Sequence, residues 1–151
     1  MHIFVVSCTL VNPSGELLVV RKRGTSVFML PGGKVEAGET HLAATLREVR
    51  EEVGLDLEAD AVALLGTWSA PAANEPGWTI TSDVFTAPLP GEPRACAEIE
   101  EIAWVSLDAD PGAGVPLAPL LTQHVLAALG RRTGPRDTLT WGSNSASGGG
   151  V

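Results

Sequence analysis

Most of the chain is written in short apolar blocks separated by turn residues, and only two stretches carry a helical period. IFVVSCTLV (3–11) is rich in β-branched residues and ends at Asn12-Pro13-Ser14-Gly15, a strong turn signal. ELLVVRKR (16–23) follows as a second strand, so the two are predicted to form a hairpin. VFMLPGG (27–33) is a short apolar run broken by Pro31, Gly32 and Gly33. Proline cannot donate to a β-ladder, so this strand is expected to stop there or to lie at an edge.

From Thr40 to Val53 the period changes. Leu42, Leu46, Val49 and Val53 make one apolar stripe of a helix, with Thr40 placed as N-cap and Gly54 as a left-handed C-cap. Strands are predicted again at 61–69, 79–87 and 99–105. A second helix is predicted from Pro116 to Arg132, where Leu117, Leu120, Leu121, His124, Val125 and Ala128 recur at helical spacing. The order strands, helix, strands, helix implies a mixed sheet between helices rather than a regular βαβ array. Residues 133–151 end in SNSASGGGV and hold little apolar content beyond Leu139 and Trp141, which reads as a flexible tail after a domain at 1–132.

Composition narrows the function classes. The chain has 151 residues, 44% hydrophobic and 19% charged, enough for one globular domain. Its net charge of −8 argues against a nucleic-acid backbone or an anionic membrane as main partner, since both require a basic face. A small anionic substrate remains compatible if a metal ion offsets the local charge. Cys8 and Cys96 are the only cysteines, without CxxC or Cys/His metal spacing, and read as inert thiols. The apolar run at the N-terminus has no basic leader and is too short to span a bilayer, so a cytoplasmic protein is expected.

The sequence REVREEV (47–53) poses the chemical question, because Glu48, Glu51 and Glu52 crowd like charges together. At about 100° per residue the three acids fall on one arc, away from the apolar stripe, and so are expected to share a solvent-facing side. Such a face is either merely solvated or a site for a hard divalent cation, which prefers oxygen ligands. Gly32 and Gly33 favour the second reading. They precede the loop KVEAGET, which runs into the helix, and glycines let a backbone approach a ligand closely.

Gly33, five residues, Glu39, seven residues, then Arg47-Glu48-Val49-Arg50-Glu51-Glu52-Val53-Gly54-Leu55 resembles the complete Nudix box, G-x5-E-x7-R-E-U-x-E-E-x-G-U. The resemblance implies an α+β Nudix fold, a mixed β-sheet sandwiched between α-helices. It also implies a hydrolase that cleaves the diphosphate linkage of a nucleoside diphosphate derivative with Mg²⁺, or Mn²⁺ as substitute. Carried over position by position, Glu48, Glu51 and Glu52 would be metal carboxylates with a backbone carbonyl of Gly32. Arg47 would orient a box carboxylate, and Gly33, Glu39 and Gly54 would shape the loop and the helix end. Glu98, six residues before Trp104, is similar in spacing to an extra glutamate of the antimutator pyrophosphohydrolases, with Glu101 as its rival and a charged strand rim as the bland alternative.

Weaker signals surround the box. Arg21, Lys22, Arg23 and Lys34 are candidates for phosphate contact, with strand alternation allowing at most two of the first three on one face, and Arg21, Arg23 and Lys34 are the ones expected to bind substrate. Trp68 and Trp78 flank the loop 69–77, where an aromatic could stack on a base or cap the core. Pro71 is similar in placement to a mark of ADP-ribose cleavage, and His124 reads as a core or rim histidine. The expected substrate is a (d)NTP or an oxidised (d)NTP. The alternatives are ADP-ribose or a nucleotide sugar and, in a different class, a non-catalytic nucleotide-binding module. Homodimerisation, with Trp141 docked on a partner subunit, is left open.

Overall fold

The computed structural model describes residues 1–107 and 114–132, so the predicted tail at 133–151, with Leu139 and Trp141, lies outside the described residues. Strand β1 (His2–Val11) is the hub of the sheet. It pairs in parallel with β5 (Thr79–Pro88) along its whole length, from His2↔Thr79 to Val11↔Pro88. On its other side it meets β2 (Glu16–Lys22) antiparallel, with Val11 opposite Leu17. β4 (Ala63–Pro71) pairs antiparallel with β5, and β6 (Ile99–Ser106) antiparallel with β2, giving the order β4-β5-β1-β2-β6.

The predicted hairpin closes through its Asn-Pro-Ser-Gly turn. Asn12 N–H donates to Glu16 O at 2.9 Å, Gly15 N–H donates to Asn12 O at 3.0 Å, and Asn12 Oδ1 accepts from the amides of Ser14 and Glu16. Beyond this turn β1 and β2 splay apart, and the run 28–33 fills the gap. Met29 bridges Val20, Cys8 N–H donates to Pro31 O at 3.0 Å, and β3 (Gly32–Gly33) pairs with Ser7 and Val6 of β1. The expectation of an edge position for this run is corrected. Pro31 sits inside the sheet because it presents its carbonyl to β1, and the N–H it lacks is not called upon.

Strand alternation builds two cores. Val6, Cys8 and Leu10 of β1, Leu18 and Val20 of β2, and Phe85 and Ala87 of β5 pack with Val49 and Val53 of α1 (His41–Val53). Leu17, Val19 and Val84 point the other way, onto Leu121, Val125 and Leu129 of the second helical segment. Each of these buried aliphatic side chains contributes about 1.5–3 kcal/mol. The molecule is therefore the expected α+β sandwich, a mixed sheet with a helix on either face. Polar side chains buried on the second face are paired across β1 and β5, Ser7 with Ser82 at 2.6 Å and Thr9 with Thr86 at 2.8 Å.

Two element boundaries moved for local reasons. β4 begins at Ala63 rather than 61 because Ala59–Ala61 close a 3₁₀ turn first. The second helix starts later than Pro116 because Leu117 is held as a β-bridge to Phe28: Phe28 N–H donates to Pro116 O and Ala118 N–H to Phe28 O, both at 2.8 Å. Its first part, Leu121–Val125, is a π turn that leads into α2 (Leu126–Arg132).

Candidate active site

The site is built on α1 and the loop that enters it. Thr40 caps the helix by accepting the Ala43 amide at 3.0 Å, and Gly54 ends it at φ +71°, its N–H donating to Arg50 O. Between these caps Arg47 organises the loop. Its Nε and Nη2 donate to the two carboxylate oxygens of Glu39 at 2.6 and 2.9 Å, a bidentate fork. Nη2 also donates to Lys34 O at 3.0 Å, while Nη1 donates to Glu48 at 3.0 Å and to Glu51 at 3.3 Å. Glu39 in turn accepts the Glu36 amide at 2.9 Å. The Arg47 hydrogen bonds, helped by that amide, hold the Glu39 carboxyl down to about 2.

The three acids of the helix do not share one environment, which corrects the expectation of a common solvent-facing side. Glu51 is 52% exposed, whereas Glu52 is 4% exposed. Glu52 lies three residues past Val49 and seven past Thr45, both buried, so it occupies the inner flank of the helix. Its Oε1 accepts the Gly32 amide at 3.1 Å. Burial pushes its carboxyl up to about 7; the charges of Glu48 and Glu98 push the same way, against the Gly32 hydrogen bond and Lys22. Burial also raises Glu48, with the Arg47 hydrogen bond and charge acting against it.

Both glycines of β3 sit at a close approach, but only Gly32 meets fixed backbone. A Cβ at Gly32 would overlap Val6 O of β1, and a Cβ at Gly33 would overlap the Glu48 carboxylate. The strand thus lies against β1 with no room for a side chain at Gly32, and at Gly33 a side chain would displace the Glu48 carboxylate. It floors one end of a cleft of about 360 Å³, where Gly32, Gly33, Glu48, Glu52, Glu98, Lys22 and Lys34 line the wall.

Glu98 and Glu101 separate cleanly. Glu98 stands in the turn before β6, next to Ala97 at φ +52°, and lies 3.8 Å from Lys22 Nζ. Glu101 accepts from Arg21 Nε and Nη2 at 3.2 and 3.0 Å, away from the cleft. The basic triplet sorts by strand parity, and not as expected. Arg21 and Arg23 do not line the cleft: Arg21 is held by Glu101 and Thr25 O, Arg23 by Glu100 and Ala97 O. Lys22 lies on the opposite face of β2 and does line it. His124 is a rim residue, 3.0 Å from Ser69 O and stacked on Trp68.

The donor set suits a hard cation, since the side chains facing this end offer carboxylate oxygens and no thiolate or imidazole. Among the described residues no three His, Cys, Asp or Glu side chains are already drawn into a cation cage. The reason is visible in the contacts: Glu48 leans on Arg47 and Glu51 points outward. The other end of the cleft, lined by Ile3, Val5, Ile80, Leu120 and Leu121 with the loop Pro71–Glu75, was invisible to sequence reasoning, because it joins four segments of the chain.

A six-stranded mixed sheet between helices, with a glycine strand set against a glutamate-bearing helix, defines the class. The NUDIX domain pattern matches residues 1–123, and the chain belongs to the NUDIX family. It is 29% identical over 111 residues to an ADP-ribose pyrophosphatase of Methanocaldococcus jannaschii, covering 72% of this chain and 64% of that protein. It is 30% identical over 109 residues to a MutT-like protein of Streptomyces ambofaciens, covering 72% of this chain and 66% of that one. The matches thus span just under two thirds of each relative's length. Among solved structures it is similar to a MutT NUDIX hydrolase from Burkholderia pseudomallei, with TM-score 0.70 and 27% identity over 85% of this chain and 98% of that one.

Proposed function

We propose that the chain is a Mg²⁺-dependent pyrophosphohydrolase that cleaves the diphosphate linkage of a (d)NTP or an oxidised (d)NTP. The observation that carries this reading is Glu52. A carboxyl is buried beside two further acids, with one backbone amide and, among the described residues, no arginine to balance it, in the wall of a nucleotide-sized cleft. Glu48, Glu51, Glu52 and Glu98, with the Gly32 carbonyl, would hold the cation. Bound Mg²⁺ supplies charge neutralisation on the diphosphate oxygens and a more acidic water.

The remaining residues position and balance. Arg47 keeps Glu48 turned to Gly33 and ties the Lys34–Glu39 loop to the helix. Lys22 and Lys34 offer positive charge to substrate phosphates at the same end of the cleft. Arg21 and Arg23, engaged elsewhere, are given no such role. ADP-ribose is the second reading, supported by the name of the archaeal relative and by Pro71 in the cleft wall. The test is nucleotide or phosphate release from a panel of (d)NTPs, 8-oxo forms, ADP-ribose and nucleotide sugars, with Mg²⁺ and with Mn²⁺. Turnover of a triphosphate ahead of ADP-ribose is expected. Absence of any turnover in a protein that binds the metal would overturn the reading.

A further inference from the structure

The cleft has two chemically unlike ends, and only one is absorbed by the phosphate chemistry. The far arm is apolar, walled by Ile3, Val5, Ile80 and Leu121. Ser7 also reaches it, but its hydroxyl is spent on Ser82. Polar side chains free to meet a ligand come from the β4–β5 loop, where Asn74 and Glu75 line the cleft. Among the described residues neither side chain has a hydrogen-bond or ion-pair partner. The loop itself is held in shape by its backbone: Ala72 N–H donates to Trp78 O at 2.9 Å and Trp78 N–H to Glu75 O at 3.0 Å.

The geometry points to Glu75, aided by Asn74, as the specificity device for the base, selecting one with two adjacent N–H donors, the guanine type. This rests on the reading of the site as a nucleotide cleft and names which nucleotide. An apolar slot takes a planar ring without discriminating among rings. Discrimination then falls to groups that must be matched when water is displaced. An ionised carboxylate is acceptor-only, with two oxygens side by side. Guanine offers N1–H and the 2-amino group next to each other and so satisfies both oxygens. Adenine offers one amino group beside an acceptor, hypoxanthine lacks the 2-amino group, and thymine sets its one N–H between two carbonyls. The Asn74 amide carries both donor and acceptor and suits the neighbouring carbonyl of the same ring.

The test uses nucleoside monophosphates, which lack the scissile linkage and so report on the slot whether or not the chain hydrolyses a diphosphate. Titration calorimetry of the full chain with GMP, IMP and AMP in Mg²⁺ is expected to show GMP bound about tenfold tighter than the other two. In Glu75→Gln and Glu75→Ala that gap should close while AMP affinity stays as it was, and Asn74→Ala should narrow it. Melting temperature checks that these exposed-loop variants fold. Equal affinities in the wild type, no binding of any monophosphate, a gap that survives both Glu75 variants, or a uniform loss for all three bases would each overturn the assignment. A failure of hydrolysis with the GMP preference intact would instead count against the proposed catalytic activity alone.

Discussion

Two glutamates thirteen residues apart, at the two ends of one loop–helix unit, are held in opposite ways. Glu39 receives a guanidinium fork and a backbone amide, and its carboxyl falls to about 2. Glu52 is buried with a single amide, faces the charges of Glu48 and Glu98, and rises to about 7. The first is complete within the chain and is a structural joint. The second is left short of positive charge, at a wall of the cleft where a ligand can supply it. On the function proposed above, balanced charge marks scaffold and unbalanced charge marks the cation site, although both acids belong to the same short motif.

The sharpest way to break the comparison is to neutralise each acid in turn. Glu52→Gln keeps the shape and the acceptor for the Gly32 amide, so the fold should survive, while kcat should fall about a thousandfold or more. Near wild-type turnover at saturating Mg²⁺ would remove Glu52 from the site.

Removing the cation from the balanced end should act on stability instead. Arg47→Ala leaves Glu39 and Glu48 without their guanidinium and frees the Lys34 carbonyl, a loss of about 2–3 kcal/mol at the scale of charged hydrogen bonds. A drop of roughly 5–10 °C in melting temperature is expected. Arg47→Lys should recover little of it, because an ammonium has no fork to meet both Glu39 oxygens. Full rescue by lysine would show that charge alone, not the fork, matters here.

A divalent cation should help only the unbalanced end. Binding to the folded state stabilises by about 2.7 kcal/mol at a hundredfold excess over Kd. Mg²⁺ or Mn²⁺ should therefore raise the melting temperature of the wild type by several degrees (roughly 2–4 °C per kcal/mol), and that of Glu52→Gln by less. An equal rise in both would place the cation elsewhere.

The smallest effect is the pH slope, and its sign differs between the two acids. Glu52 has a folded value above its unfolded one, so the folded state holds extra proton between about 4.5 and about 7. Its contribution is present below that window and is lost as pH rises through it. Glu39 has a folded value below its unfolded one, so its contribution is present above about 4.5 and is lost as pH falls toward about 2. In a chelator, Glu52→Gln should flatten the melting profile on the neutral side of pH 4.5 and Glu39→Gln on the acid side. Interchanged or unaffected profiles would contradict the comparison.

Much of this was legible in the chain because it depends on neighbours in sequence. The alternation of β1 and β2, the cap at Thr40, the stop at Gly54 and the spacing from Gly33 to Leu55 are local patterns with local causes. Glu98 was within reach through its distance from Trp104, and alternation sets it and Glu101, three residues apart, on opposite faces, but which of the two meets the cleft was not legible, because that depends on the face β6 turns to it.

By itself, then, the sequence determined the elements, their faces and the motif that marks the site, since hydrophobic period and capping are written over a few residues. Tertiary structure alone decided how each marked residue is used. Whether Glu52 meets water or core depends on how α1 is rolled against β1 and β3. Whether Lys22 or its arginine neighbours reach the cleft depends on which face of β2 turns to α1. The apolar arm exists because β1 and β2 diverge and residues far apart in the chain close around the gap. Burial and charge are sums over all neighbours in space, and a linear pattern lists only the neighbours along the chain.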